Sequence, residues 1–180
     1  MTWQNNGQIL SGRFSGSCSE AYFGDYRLLY ARSPNIGELG INNKIAKEPY
    51  NKVSALLVET DTCKKDGKGF KQSCPEENRI GFFFDNEMTG DWTHLNQTKI
   101  LVYRSWIAEY AQVAKIWIEN GKNKVMFQEP LKHAAIGEWI ASGDLRYIFL
   151  NNLALLDVPG EFVCVHDGVE SEFSFSPHTE

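Results

Sequence analysis

The amino-acid sequence predicts an all-β fold, either a β-sandwich or a partly closed antiparallel barrel with one or two short helices. Three observations lead to this prediction. Short segments of alternating apolar and polar residues recur along the 180-residue chain, turn-forming residues separate them, and apolar residues at helical spacing are scarce. Alternation lets each strand bury one face, so the pattern favours packed or closed sheets.

The first half of the chain contains four candidate strands. Residues 8–14 (QILSGRF) and 26–32 (YRLLYAR) are strand-like, and residues 52–60 (KVSALLVET) are apolar enough for either a strand or a helix. Residues 79–85 (RIGFFFD) place alternate apolar side chains on one face of an extended chain. We expect these segments to supply the first strands of the core.

The second half predicts a further strand and two hairpins. Residues 99–106 (KILVYRSW) alternate, and residues 113–128 form a hairpin in which Asn120-Gly121 supplies the positive φ angles of the turn. Residues 161–175 form a second hairpin that turns at Asp167-Gly168.

Helical segments are few and short. Residues 105–112 (SWIAEYAQ) are compatible with one or two helical turns, and so are residues 133–144 (HAAIGEWIASGD), where Gly143 provides a stop. Residues 62–78 are rich in Gly and Lys and form the one clear insertion loop. We therefore expect residues 1–180 to form a single β-rich domain.

Charge and hydropathy exclude two classes of partner. The net charge of −5 disfavours a nucleic-acid-binding surface, because such surfaces need clustered Lys and Arg. No apolar run is long enough to span a bilayer. The first residues are polar and lack the pattern of a signal peptide, so the protein is either intracellular or has lost a signal.

The four cysteines form no Cys-x-x-Cys pair, which makes zinc and thioredoxin-like sites weak interpretations. Cys63 and Cys74 flank a polar stretch, and a disulfide between them would contribute roughly 3 kcal/mol by closing that loop. Cys18 and Cys164 form either a second bridge or two buried thiols. Asn96 begins a glycosylation sequon, and together these features favour a secreted, extracellular protein.

No motif for a cofactor or a metal is present, so we expect neither. The histidines His94, His133, His166 and His178 are widely spaced and are interpreted as surface or hydrogen-bonded residues. The acidic loop with Asp85, Glu87 and Asp91 is oxygen-rich, but its spacing fits no defined calcium loop. A solvated loop is the favoured interpretation.

The segment around Pro159-Gly160 has two interpretations. Asp157 and Glu161 flank it and are the candidate acid/base pair of a glycosidase, with Asp85 and Asp91 as a second pair. The favoured interpretation is a structural turn, because Pro fixes φ at one corner and Gly adopts positive φ at the next. Glu161 then begins a strand.

Exposed aromatic rings can stack on sugars, whose C–H faces are apolar. Trp92, in a predicted loop, and Tyr50 are the candidate carbohydrate-binding residues. Trp106, Trp117 and Trp139 lie in or near regular elements and are expected to pack in the core.

Several segments together resemble a region of right-handed parallel β-helix proteins, the pectin-lyase-like proteins that include many glycoside hydrolases. That family has a Leu-Asp-x-Pro-Gly-Glu-Trp motif, matched at residues 156–161, with Phe162 in place of Trp. Its Ala-Arg-x-Pro-Asn motif is matched at residues 31–35, and residues 102–131 are similar to an aromatic-x-Ser-Trp segment followed by a hairpin.

The resemblance implies an accessory domain near the start of a β-helix. The catalytic carboxylates of such enzymes lie on rungs further along, so the resemblance gives this chain no catalytic residue. It implies that residues 1–180 are a module or fragment of a longer protein.

Three functions follow, in order of preference. The first is a non-catalytic extracellular module that binds glycan or supports the β-helix of its parent chain. The second is a self-associating adhesion or assembly domain. The third is a fragment of a glycoside hydrolase.

Overall fold

A computed structural model describes residues 4–6, 9–35, 50–57, 64–65, 71–73, 76–85, 88, 92–103, 107–132 and 145–177. Within these residues the regular structure is almost entirely β, and helical geometry is confined to short 3₁₀ turns at Glu76–Arg79, Leu95–Gln97 and Leu153–Leu155. The predicted all-β class is therefore confirmed. No helix in this part of the chain is long and apolar enough to cross a membrane.

Fifteen strands lie in the described part of the chain. In order they are β1 Gln4–Asn6, β2 Ile9–Ser15, β3 Ala21–Phe23, β4 Tyr26–Tyr30, β5 Arg32–Ser33, β6 Asn51–Leu56, β7 Lys64–Lys65, β8 Lys71–Ser73, β9 Gly81–Phe84, β10 Lys99–Tyr103, β11 Ala108–Glu119, β12 Lys122–Phe127, β13 Arg146–Leu150, β14 Glu161–His166 and β15 Glu170–Phe175.

Contacts divide the chain into two compact units. The first comprises Met1–Pro49, Thr89–Thr98 and Phe149–Glu180, and the second comprises Tyr50–Met88 and Lys99–Ile148. Each unit is therefore assembled from segments that are distant in sequence.

The first unit contains a six-stranded sheet in the order β1-β2-β15-β14-β4-β3. Neighbouring strands are antiparallel except β14 and β4, which run parallel. The predicted hairpin of β14 and β15 is present, and Asp167 Oδ1 accepts hydrogen bonds from the backbone N–H groups of Val169 and Glu170 at 2.9 and 2.8 Å. These bonds fix the turn as an Asp side chain commonly does.

The apolar core of this unit lies on one face of that sheet. Leu28, Phe162, Cys164 and Phe175 form its buried centre. Strand alternation produces this face, because buried Phe162 and Cys164 are two residues apart on β14. Ser174 lies between two aromatic residues of β15 and is also buried, with its hydroxyl 2.7 Å from that of a serine on β2.

An asparagine pair follows β13 and joins three segments of the first unit. Asn151 is buried with φ of 63°, and its side chain bonds the Cys164 backbone on both sides, donating to the carbonyl at 2.9 Å and accepting from the N–H at 2.8 Å. The same amide donates to the Gln97 carbonyl at 3.2 Å. Asn152 donates to the Thr98 hydroxyl at 2.8 Å. After β13, side-chain hydrogen bonds of the two asparagines thus take the place of backbone pairing between strands.

In the second unit, antiparallel strands follow the order β10-β11-β12-β9-β6-β13, and an additional pairing of β10 with β13 closes this order on itself. This arrangement matches the partly closed barrel of the prediction. The predicted hairpin is present at Asn120 and Gly121, whose φ angles are 52° and 78°.

Aromatic residues fill the core of the second unit. The ring of Tyr147 lies 4.9 Å from that of Phe82 and 5.8 Å from that of Phe84, and all three side chains are buried. Burial raises the pKa of Tyr147, and the charge of Asp85 raises it further, so the hydroxyl stays neutral.

One predicted helix is wrong. Residues 108–112 of the SWIAEYAQ segment belong to β11, which pairs Ala108 with Tyr103 and Ala111 with Ile100. Burial alternates there, with Ala111 and Val113 buried and Tyr110 and Gln112 exposed. Pairing with β10 outweighs the weak helical propensity of this mixed pattern. The segment 133–144 lies outside the described residues.

The structure also gives the conformation of two other predicted segments. The apolar segment that begins at Lys52, left open between strand and helix, forms β6. Within the predicted insertion loop of residues 62–78, β7 pairs with β8, and Lys64 lies opposite Ser73.

Candidate functional site

The turn between Asp157 and Gly160 is connected by backbone hydrogen bonds to two other parts of the first unit. Gly160 has φ of 89°, the positive value for which glycine is suited. Its carbonyl accepts from the N–H of Leu29 at 2.9 Å, and its N–H donates to the carbonyl of Ser176 at 2.8 Å. The turn therefore sits between β4 and the segment after β15.

Asp157 lies on the exposed side of this turn. Its Oδ1 accepts a hydrogen bond of 3.0 Å from Nδ2 of Asn35. Asn35 belongs to the Ala-Arg-x-Pro-Asn segment, where Arg32 Nε also donates to the carbonyl of Pro34 at 2.9 Å. Asp157 thus links two motifs that are 122 residues apart in sequence.

Glu161 lies beneath the same turn and is only 4% exposed. Its carboxyl group accepts hydrogen bonds from the backbone of Arg32, Val158 and Asp157. Burial, reinforced by the charge of Asp157, nevertheless raises its pKa to about 8, so the side chain is mostly uncharged at neutral pH. One of its oxygens, Oε2, has no hydrogen-bond partner among the described residues.

A neutral carboxyl group beside an ionised one is the electrostatic arrangement that an acid/base pair requires. A general acid must also reach the bond that it protonates. Glu161 is enclosed, and its hydrogen bonds go to the backbone of the turn. The geometry therefore suits a side chain that holds the turn against the Arg32 segment better than one that donates a proton to a ligand.

The raised pKa of Glu161 predicts that stability depends on pH. The pKa of Glu161 is about 8 in the folded protein and 4.5 ordinarily. Between pH 4.5 and pH 8 the folded protein therefore holds a proton on Glu161 that the unfolded chain has released. The stability that this bound proton contributes is fully present below pH 4.5 and is lost as pH rises through 8. The free energy of unfolding should fall by up to about 1.4 kcal/mol per pH unit in this window.

Glu161→Gln is the variant that isolates this effect, since glutamine is neutral at every pH. We expect its unfolding free energy, measured in urea, to be flatter than that of the wild type between pH 5 and 8. Asp157→Asn should flatten the dependence less, because burial is the larger cause of the shift. Parallel profiles for the wild type and Glu161→Gln would contradict a buried neutral carboxyl group.

A second candidate region is the Gly16–Glu20 segment, which connects β2 to β3. A disulfide joins Cys18 to Cys164 on β14, with Cα atoms 6.2 Å apart. The Tyr30 hydroxyl donates to the carbonyl of Cys18 at 3.3 Å, and the Ser171 hydroxyl donates to the first carbonyl of the segment. Of the two alternatives for this cysteine pair, the bridge is the one that forms, and it fastens the segment across the apolar core.

The fastened segment forms one wall of a shallow, open concavity of about 420 Å³. The lining residues are aromatic, hydroxyl-bearing, acidic or small: Phe14, Ser17, Cys18, Ser19, Glu20, Ala21, Tyr22 and Phe173. Tyr22 is 61% exposed, so its ring is accessible. Aromatic rings beside hydroxyl and carboxylate groups can provide both an apolar face and hydrogen bonds to a polar ligand.

Only an indirect signal for this concavity is visible in the sequence. The Gly24 turn has three aromatic residues close to it in sequence, Tyr22, Phe23 and Tyr26. They follow a serine-rich segment that ends at Glu20. So short a hairpin buries few side chains, so this many aromatic residues indicates that some of them lie on the surface. The contribution of Phe173, however, depends on the pairing of β15 with β2, which no local pattern predicts.

The two predicted sugar-stacking residues lie in packed surroundings. Trp92 is half-buried, with its ring edge-on to Phe149 at 5.1 Å. Tyr50 is also half-buried, with the Arg146 guanidinium 4.5 Å above its ring and Tyr103 at 6.2 Å. Each ring therefore already has a face or an edge in contact with protein.

Other predicted residues remain as predictions. Asn96 is exposed in the 3₁₀ turn Leu95–Gln97, a position that a glycan could reach. Asp85 is exposed beside β9. Of the cysteine, acidic, histidine and tryptophan residues singled out in the sequence, eight lie outside the described part of the chain: Cys63, Cys74, Glu87, Asp91, Trp106, His133, Trp139 and His178.

Comparison with known proteins gives a fold relationship. No protein-family model matches the chain, and no curated protein matches its sequence. A solved structure of a glycoside hydrolase superposes with a TM-score of 0.61 at 12% sequence identity, covering 98% of this chain and 28% of that one. At this identity the likeness concerns the fold alone. The chain thus has the fold of a part, about 28% of the length, of a glycoside hydrolase.

Proposed function

We propose that this chain is a non-catalytic, extracellular accessory domain of a carbohydrate-active β-helix protein, and that it binds glycan in the concavity beside β3. The accessible ring of Tyr22, in a concavity that Ser17 and Ser19 also line, is the observation that carries this proposal. Open, shallow sites with an aromatic surface suit sugar rings, which present one apolar face and a rim of hydroxyl groups.

Contacts between the two short motifs support the accessory-domain part of the proposal. The Asn35 side chain bonds Asp157, the Arg32 backbone bonds the Glu161 carboxyl group, and the N–H of Ala31 donates to the carbonyl of Phe162 at 2.8 Å. The residues that carry the β-helix resemblance therefore hold one another in place. The fold relationship to part of a glycoside hydrolase is compatible with this role.

Binding should depend on Tyr22. In a screen of neutral oligosaccharides followed by calorimetric titration, we expect Tyr22→Ala to weaken binding about tenfold, or about 1.4 kcal/mol, through loss of one aromatic contact. Tyr110→Ala is the matched control, since Tyr110 is 67% exposed on β11 in the second unit. The absence of any saccharide ligand, or equal loss in both variants, would refute glycan binding at this site.

Self-association is a second candidate, favoured by one observation. β3 is an edge strand of the six-stranded sheet, and its hairpin exposes Tyr22, Phe23, Tyr26 and Leu29. An exposed apolar edge can pair with a second copy. Light scattering at rising protein concentration distinguishes the two functions, because a strict monomer at all concentrations removes this candidate.

A further inference from the structure

The charges at the concavity are unusually simple. Among its described lining residues, Glu20 is the one that carries a charge near neutral pH. Its Oε1 accepts a 2.8 Å ion-pair hydrogen bond from Nη2 of Arg27. Arg27 lies on β4 directly opposite Tyr22 on β3, so this ion pair lies in the same hairpin as the accessible ring. The guanidinium group of Arg27 is therefore already paired with the carboxylate in the wall of the concavity.

This ion pair is open to solvent, because the side chains of Arg27 and Glu20 are 61% and 54% exposed. Such a pair adds little to stability. Its effect on a ligand is different, since a second carboxylate that approached Arg27 would also come close to Glu20. Repulsion between the two carboxylates would offset the attraction of the guanidinium group.

From this charge balance we infer that the concavity takes uncharged saccharides and discriminates against uronates. The inference rests on the proposed glycan-binding function. A neutral sugar can place its ring against Tyr22 and its hydroxyl groups against Ser17 and Ser19. A uronate finds no unpaired cation among the described lining residues and meets a carboxylate of the same sign.

The test compares neutral and anionic forms of the same backbone. The probes are cellohexaose, mannohexaose and galactohexaose, each paired with the form in which C6 is oxidised to a carboxylate, titrated calorimetrically at low salt. We expect at least one neutral form to bind and its uronate form to bind about tenfold or more weakly, owing to one short-range charge repulsion. The difference should shrink in high salt, because the groups are exposed.

Glu20→Gln should largely remove the selectivity. It frees Arg27 to pair with a ligand carboxylate, so affinity for the uronate form should rise about tenfold, while the neutral form changes by less than about threefold. Glu172→Gln is the matched control. Glu172 pairs with Arg13 at 3.3 Å on β15 and β2, with side-chain exposures of 46% and 64%, and neither residue lines the concavity.

The outcomes separate the two proposals. Uronate forms that bind the wild type as tightly as neutral forms would overturn the charge discrimination and leave glycan binding intact. Equal gains in Glu20→Gln and Glu172→Gln would also overturn it, because they would indicate a general charge effect. Failure of all six probes to bind would overturn both.

Discussion

Replacing Cys18 and Cys164 by alanine should lower the free energy of unfolding by about 5 kcal/mol, the loop-closure value for a bridge across 146 residues. The bond limits the unfolded chain over most of its length, so its entropic effect is near the upper end for a single disulfide. A domain of this size has about 5–15 kcal/mol of stability. Urea unfolding under non-reducing conditions measures the loss.

Saccharide binding provides a second measurement on the same variant. Cys18 lies in the wall of the concavity, and the bridge fastens the Gly16–Glu20 segment to β14. If the variant remains folded, its affinity should fall because the wall is no longer fixed. The matched variant Cys63→Ala with Cys74→Ala removes the other predicted bridge, which closes a much shorter loop and should cost roughly 3 kcal/mol without affecting binding. A loss below about 1 kcal/mol at Cys18 and Cys164 would contradict the loop-closure account.

The periodic part of the fold is visible in the sequence because strand burial repeats every second residue. The hairpins at Asn120-Gly121 and Asp167-Gly168 combine that period with residues that suit the turn, so their positions follow from local chemistry. The same reasoning fails for residues 108–112, where Ala and Tyr are compatible with either helix or strand. Pairing with β10 decides between them, and pairing is not a local property.

The site depends more heavily on distant contacts. Glu161 reads as an ordinary charged residue at the start of a strand, yet it is buried because the Arg32 segment covers it. Whether Cys18 and Cys164 form a bridge or two thiols could not be decided from spacing, because the bridge depends on β14 lying next to the Gly16–Glu20 segment. The concavity likewise combines residues from β2, β3 and β15. Local patterns therefore predict the strands, whereas the order of the strands creates the site.

Asn151 illustrates such a long-range requirement, and its loss should have the second large effect. Its side chain satisfies the Cys164 carbonyl and N–H, which are buried, and the Gln97 carbonyl, which is partly buried. Asn151→Leu leaves these groups without partners and places a branched side chain at φ of 63°. Each buried polar group left unpaired costs about 1–3 kcal/mol, so we expect a total loss of roughly 4 kcal/mol or more in urea unfolding.

Two glycine variants separate the hydrogen bonds from the backbone conformation. Asn151→Gly relieves the positive φ but removes the same side-chain bonds, so it should recover only about 1 kcal/mol relative to Asn151→Leu. Asn120 also has positive φ, at 52°, but lies exposed in the hairpin turn, and Asn120→Gly should change stability by less than about 0.5 kcal/mol. If Asn151→Gly were as stable as the wild type, backbone conformation alone would explain this asparagine, and the hydrogen bonds to Cys164 would not be what holds β14 beside the Gln97 segment.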